Sequence, residues 1–245
     1  MNESPPGFLT LPAPGNSRLA PLPGELVAVT VDLEIPAERR AQLFETLSLR
    51  ERSRYASFAH DLHRFRWGAA RGLLREVLGA ALGQVPREVT FRYGAHGKPF
   101  VDGLHFNISH SGERALIALA QVEVGADIEL PRPRRTDDIA RRFYAPGEIE
   151  RLFRLTDAAA REVEFFRLWT CKEAFLKVTG EGLSRSTRSY EVELLEGGGA
   201  RLLWARGIPD AASRYSVHPL EPGAPFRAAV VADAPTLTVR QCAWP

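Results

Sequence analysis

Lysine is scarce in this chain of 245 residues. The 32 basic residues include only Lys98, Lys172 and Lys177, and the other 29 are arginine. Arginine presents a planar fork and lysine a compact point charge, so three lysines in an arginine-built sequence mark candidate positions for an ammonium group. Cysteine is scarcer still: Cys171 and Cys242 cannot build a disulfide framework, which fits a reducing, cytoplasmic setting. The longest uninterrupted apolar run is Ala115 to Ala120, against about 20 residues for a membrane span, so no membrane association is expected. The opening MNESPPGFLTLPAPG has no cationic start followed by an apolar stretch, so no signal peptide is expected. A formal net charge of only +2 argues against wholesale electrostatic binding of nucleic acid. No Cys/His cluster has zinc-ligand spacing, no G-x-x-x-x-G-K-S/T loop is present, and no G-x-S-x-G elbow surrounds Ser109.

What is present has the composition of a folded globular chain, 44% hydrophobic and 25% charged. Six of its 18 prolines fall in residues 1–24, read as an extended lead-in. ELVAVTVDLEI (25–35) is β-branched and alternating, as strands are. Residues 36–60 read as helical, and 61–78 set Leu62, Phe65, Ala69, Leu73 and Val77 at helical spacing. EVTFRYG (88–94) and LHFNISHS (104–111) suit strands around a G-K-P turn, and ALIALAQVEVGADIEL (115–130) suits a hairpin. The clearest helix runs from Arg161 to Val178, and from Tyr190 on strand-like runs alternate with Gly and Pro turns. This mixed α+β pattern occurs twice. FRWGAARGLLREVLG (65–79) laid on FRLWTCKEAFLKVTG (166–180) matches Phe65 with Phe166, Arg66 with Arg167, Val77 with Val178 and Gly79 with Gly180, and sets Arg71 opposite Lys172. VDLE (31–34) lies over ADIE (126–129). The expected fold is two similar, pseudo-symmetric α+β halves, 25–123 and 124–245, with the site in the cleft between them.

Three segments carry chemistry. Asp127-Ile128-Glu129 ends an apolar strand, and residues at i and i+2 point to one face, so both carboxylates project together. Close carboxylates repel unless a cation lies between them, although an exposed strand end would carry such a pair too. In WTCKEAFLKVTGEGL (169–183), Trp169, Glu173 and Lys177 form an i, i+4, i+8 column with Lys172 beside it, which a surface ion pair would also explain. In GKPFVDGLHFNISHSG (97–112), Asn107, Ser109, His110 and Ser111 can hydrogen-bond a phosphate or nucleotide. Three carboxylates with ammonium groups suit Mg²⁺ beside a phosphate, the setting of phosphoryl transfer.

In this order and spacing, the segments GKP (97–99), FNISHSG (106–112), GADIE (125–129) and WTCKEAFLKVTGEGL (169–183) resemble the 4'-phosphopantetheinyl transferases, in their long, surfactin-synthetase-activating (Sfp-like) branch. The resemblance covers about residues 25–190. It implies a monomer of two similar halves that transfers the 4'-phosphopantetheine arm of coenzyme A to a serine of an apo acyl or peptidyl carrier protein. The carrier would belong to a fatty-acid, polyketide or non-ribosomal peptide synthase, and adenosine 3',5'-bisphosphate would leave. By the same resemblance Asp127, Glu129 and Glu173 hold Mg²⁺ (or Mn²⁺ in its place), and Glu173, or a water it orients, is also the base for the carrier serine. Lys177 stabilises the diphosphate or leaving group, and Lys172 makes a further phosphate contact. Lys98, Asn107, Ser109 and His110 match coenzyme A contacts. Arg52 and Arg54 match the nucleotide-phosphate clamp, with Arg66 and Arg71 as alternatives. The arginine-rich segment 141–155 is the candidate docking surface for an acidic carrier.

Two other readings use the same residues: a Mg²⁺-dependent phosphohydrolase of coenzyme A or a nucleotide, and a non-catalytic coenzyme A or carrier-binding module. The internal repeat adds an asymmetry, because Gly72 occupies in the first half the place that Glu173 fills in the second. Asp32 and Glu34 then lack a third acid, and one metal site per chain is expected.

Overall fold

Strand alternation sets the layering of this protein. The computed structural model describes residues 9–10, 19–94, 97–132, 135–182 and 185–245. Its first half contains β1 (Leu9–Thr10), β2 (Glu25–Asp32), α1 (Ala37–Thr46), α2 (Leu49–Ala56), α3 (Asp61–Leu82), β3 (Arg92–Tyr93), β4 (Pro99–Phe100), β5 (His105–Ser111) and β6 (Arg114–Ala120). Then come β7 (Val124–Glu129), α4 (Thr136–Phe143), α5 (Pro146–Phe153), α6 (Ala158–Thr179), β8 (Tyr190–Leu194) and β9 (Ala200–Ala205). The chain finishes with α7 (Ala211–Arg214), β10 (Ser216–Leu220), β11 (Arg227–Ala232) and β12 (Thr238–Trp244).

Two five-stranded sheets form, in the orders β1-β12-β2-β6-β5 and β7-β11-β10-β9-β8. Val27, Val29, Val31, Ile117 and Leu119 face one way and pack on Ala69, Leu73 and Val77 of α3. The alternate residues Leu26, Ala28, Leu116, Ala118 and Ala120 face the second sheet, where they meet Ala126, Ile128, Ala228, Val230 and Ala232. The outer face of the second sheet, with Ala229, Val231 and Val217, packs on Phe166, Cys171, Ala174, Phe175 and Val178 of α6. The result is helix, sheet, sheet, helix. Strands buried on both faces read as near-continuous apolar runs, and β6 and β11 do. Alanine is frequent in the layer between the sheets, where small side chains let two backbones approach closely.

Helix ends follow local chemistry. Ser48 and Glu51 form a reciprocal capping box at the start of α2. Asp157 accepts from the Ala160 N–H at the start of α6, and α6 ends on Gly180 in the left-handed region, φ 71°. Helix α3 runs past Gly79 to Leu82 and ends on Gly83, one turn later than its repeat partner would suggest.

Three sequence expectations need correction. Residues 115–130 do not form a hairpin: β6 pairs with β2 and β5, while β7 pairs with β11 in the other sheet. The short link Gln121–Glu123 is a crossover between layers, and periodicity does not report which strand a run will pair with. The division at 124–245 also differs from sheet membership, because β12 returns to the first sheet and runs parallel to β2, with Cys242 opposite Val29. Of EVTFRYG, only Arg92 and Tyr93 are strand, paired with Phe100 and Pro99. Of the lead-in, 1–8 and 11–18 lie outside the described residues, and Leu9–Thr10 runs parallel to β12.

The tightest contact between layers is at Gly125. A Cβ there would lie 2.0 Å from the Ala174 carbonyl oxygen and 2.5 Å from the Val178 nitrogen, both backbone atoms of α6. Gly125→Ala must therefore push α6 off β7, and the expected loss is about 1–3 kcal/mol or more, as for other overpacked cores. A denaturant midpoint unchanged from the wild type would contradict this packing.

Candidate functional site between the two sheets

Side chains, rather than a backbone ladder, join the two sheets along one line. Asn107, Ser109 and Ser111 sit at alternate positions of β5 and so project to one side, toward β7. The Ala126 N–H donates to Asn107 Oδ1 at 3.0 Å, and Ser109 Oγ donates to Asp127 Oδ1 at 2.8 Å. Ser111 Oγ donates to Glu129 at 3.0 Å and accepts from the Leu130 N–H at 3.1 Å. Both edges keep their backbones apart, and the gap is lined with polar groups.

Helix α6 lies over this seam. Lys177 Nζ donates to Asp127 Oδ1 at 2.7 Å, to Ser109 Oγ at 2.8 Å and to the Ala126 carbonyl at 3.0 Å. Asp127 is 4% exposed, and its second oxygen, Oδ2, is buried without a hydrogen-bond partner. Burial pushes the Asp127 carboxyl up, against the opposing pull of Lys177 and Ser109. One turn earlier on the same face, Glu173 is raised by burial and then by the negative charges of Asp127 and Glu129, with Lys177 opposing. Among the described residues, no three His, Cys, Asp or Glu side chains are drawn together closely enough to hold a metal ion. His110 points from β5 to the opposite side and is exposed. Partial burial first, and then the cations Lys177 and Arg66, push its imidazole below its ordinary value.

A cavity of about 850 Å³ opens at the other end of the seam. Lys98, Phe100, Leu104, Phe106 and Glu123 line it from the first half and the link, and Val178, Gly180, Arg214 and Tyr215 from the second. Asp127, Glu129 and Glu173 do not line it. From Glu123 to Asp127 is four strand residues, about 13 Å, and Lys177 stands between the cavity and the acids.

Comparison with known proteins shows the family. The model of the 4'-phosphopantetheinyl transferase superfamily matches residues 123–231. The chain is 40% identical over 183 residues to the 4'-phosphopantetheinyl transferase HetI of Nostoc, covering 71% of this chain and 76% of HetI. It is 33% identical over 184 residues to a 4'-phosphopantetheinyl transferase of Bacillus subtilis, covering 71% and 78%. The chain belongs to the 4'-phosphopantetheinyl transferase superfamily. Similarity extends to 216 residues, at 29% identity, with the transferase Sfp of Bacillus subtilis, covering 86% of this chain and 93% of Sfp.

Of the residues singled out in this phosphopantetheinyl transferase, the fold brings Asp127, Lys177 and Ser109 into hydrogen-bond contact, and Glu173 feels the charges of Asp127, Lys177 and Glu129. Lys98 lies in the cavity wall, held by Glu123 at 2.8 Å and the Val124 carbonyl. Asn107 and Ser109 are buried and used by the seam, which departs from their expected role as coenzyme A contacts. Arg52 does not line the cavity: its guanidinium donates to the Leu47 carbonyl and Glu45 and lies over Phe44. Arg54 lies over Phe58 and Trp67. The alternative Arg71 pairs with Glu51 under Phe91, whereas Arg66 pairs with Glu34 at 2.5 Å and reaches the field of His110.

Lys172 is the clearest correction. It is 1% exposed, and Nζ donates to Glu148 at 2.7 Å and to the Tyr190 carbonyl at 3.1 Å, under the Tyr190 ring. One residue of helix rotates a side chain by about 100°, which takes Lys172 off the Glu173–Lys177 face and into the core. Sequence reasoning missed Glu148, which also accepts from the Ala145 and Val192 N–H groups. Its signal was present, as a Glu three residues beyond a helix cap. The first half builds the same device, with Glu51 capping α2 and holding Arg71 and Arg75 of α3. The repeat that sets Arg71 opposite Lys172 therefore pairs two structural cations.

Lys172→Met alone strands the Glu148 charge in the core and should cost about 3–5 kcal/mol. Adding Glu148→Gln should recover most of that stability and leave transfer measurable. A stable double variant with no transfer would return Lys172 to the substrate.

Proposed function

We propose that coenzyme A lies along the cleft between the halves and that Asp127, Glu173 and Lys177 act on its diphosphate. The protein is a transferase of the phosphopantetheinyl class, with coenzyme A as substrate and a carrier protein as acceptor. One observation carries the assignment of the site: Glu173, Asp127 and Lys177 converge on the polar seam next to a cavity of about 850 Å³. That volume suits a nucleotide-sized ligand.

The nucleotide end occupies the cavity beside Lys98, and the diphosphate crosses Lys177, with His110 and Arg66 at the rim for further phosphate. Glu173 takes the proton of the carrier serine; its raised pKa brings its basicity closer to neutral pH. The serine oxygen bonds to the β-phosphorus, and the bond to the bridging oxygen breaks. Adenosine 3',5'-bisphosphate departs with the electron pair, and the Lys177 ammonium holds the charge it develops. The donor set also suits a divalent cation by its chemistry, because Asp127 Oδ2 is buried without a partner and the charges of Asp127 and Glu129 raise the Glu173 carboxyl. Asp127, Glu129 and Glu173 would hold Mg²⁺ or Mn²⁺, which neutralises diphosphate charge when bound. One chain supplies both halves, so a monomer is sufficient. Arg141 and Arg142 on α4, beside the part-exposed Phe143, form the docking surface for an acidic carrier, while Ala140, Tyr144, Ala145 and Leu152 of the same stretch face the core.

Incubation with coenzyme A, Mg²⁺ and a panel of apo carrier proteins should add one phosphopantetheine mass to at least one carrier. Chelation of Mg²⁺ should stop the reaction. No increment on any carrier, or adenosine bisphosphate released without a carrier, would overturn the reading. Glu173→Ala should slow transfer about 10²–10⁴-fold, as loss of a general base does. Glu34→Ala removes an acid whose place in the first half lacks a partner acid, because Gly72 packs against Leu43 where a Cβ would come within 2.6 Å. Transfer by that variant should match the wild type, and equal losses in the two variants would contradict the asymmetry.

A further inference from the structure

Lys177 has a full set of partners before any substrate arrives. An ammonium has three donors, and its three acceptors here are Asp127 Oδ1, Ser109 Oγ and the Ala126 carbonyl. It therefore already neutralises the buried carboxylate on which a divalent cation would rest. A cation arriving alone would share Asp127 with this ammonium, and like charges a few ångströms apart repel strongly in a poorly solvated site. The free cation offers Lys177 no replacement acceptor. The diphosphate of coenzyme A does, because its oxygens can take the ammonium as it leaves Asp127.

We infer that Lys177 is the resident counter-ion of Asp127 and makes tight divalent-cation binding conditional on coenzyme A. The inference rests on the proposed site and goes beyond it, assigning Lys177 a role before chemistry begins. Lys177 exchanges between two acceptor sets, the Asp127 carboxylate and the substrate diphosphate. Among the described residues no three carboxylates close on a common point, and Lys177 holds one of them. Because coupling between ligands is reciprocal, the cation in turn raises the affinity for coenzyme A by the same factor.

The test counts bound Mn²⁺, by the spin resonance of the free ion, in the absence of coenzyme A. Wild type, Lys177→Met and Lys177→Arg are compared at one ionic strength and at mildly alkaline pH, where carboxylates are ionised. Lys177→Met should bind Mn²⁺ about 5–150-fold more tightly than wild type, the usual range of coupling between sites. Lys177→Arg keeps the positive charge and should stay weak. Equal affinities in wild type and Lys177→Met would overturn the inference. If Lys177→Met does not fold, the scarcity of lysine supplies a second measurement on the wild type. Carbon-13-labelled lysine gives three side-chain signals, one each for Lys98, Lys172 and Lys177, with Lys177 assigned from Lys177→Arg. Saturating Mg²⁺ should move the Lys177 signal and leave Lys172 still, and an unmoved Lys177 overturns the inference. Transfer by the wild type is scored separately. Its absence would count against the proposed function, whereas transfer with equal Mn²⁺ affinities would count against the counter-ion role alone.

Discussion

Strands β5 and β7 lie side by side at the edges of two different sheets, and their register is held by side chains. A backbone ladder would have closed the gap to about 4.8 Å and merged the sheets into one. Instead Asn107, Ser109 and Ser111 reach across to Ala126, Asp127, Glu129 and Leu130, satisfying backbone donors that an edge strand would otherwise leave exposed. This spacing leaves room for acids and an ammonium at the seam, and it orients Asp127 toward α6 rather than toward solvent. The close approach of α6 at Gly125 then brings Glu173 and Lys177 onto the same line. Loosening either contact would disperse these charges.

The two halves show how a repeated unit can keep its framework and specialise its chemistry. Each has a glutamate that caps a short helix and binds a cation on the following long helix: Glu51 with Arg71 and Arg75, Glu148 with Lys172. Buried pairs of this kind add little net stability compared with apolar packing, but removal of one partner leaves an uncompensated charge. They therefore lock the register of α2 on α3 and of α5 on α6. The halves differ at one position of the long helix. Glu173 faces the seam in one, and Gly72 packs tightly against α1 in the other.

Most of the element order was legible from periodicity. The 3.6-residue spacing in 61–78 and the β-branched run at 25–35 predict α3 and β2, because a side chain's local face depends on sequence spacing alone. The carboxylates and Lys177 were legible for the same reason, since i, i+2 on a strand and i, i+4 on a helix share a face. Pairing partners were not. The apparent hairpin at 115–130 splits between two sheets, and β12 crosses from the end of the chain to β2, since strand pairing depends on which edges are free after the layers have packed.

Lysine scarcity illustrates the division most directly. The sequence alone determined that Lys98, Lys172 and Lys177 are chemically distinct from 29 arginines, and that Glu173 and Lys177 share a helix face. Only the tertiary structure decided that Lys177 meets Asp127, that Lys98 lies in the cavity wall and that Lys172 is a buried partner of Glu148. Adjacent helical residues point about 100° apart, and which of those directions is core or cleft depends on what packs there: β8 and α5 on one side of α6, β7 and the seam on the other.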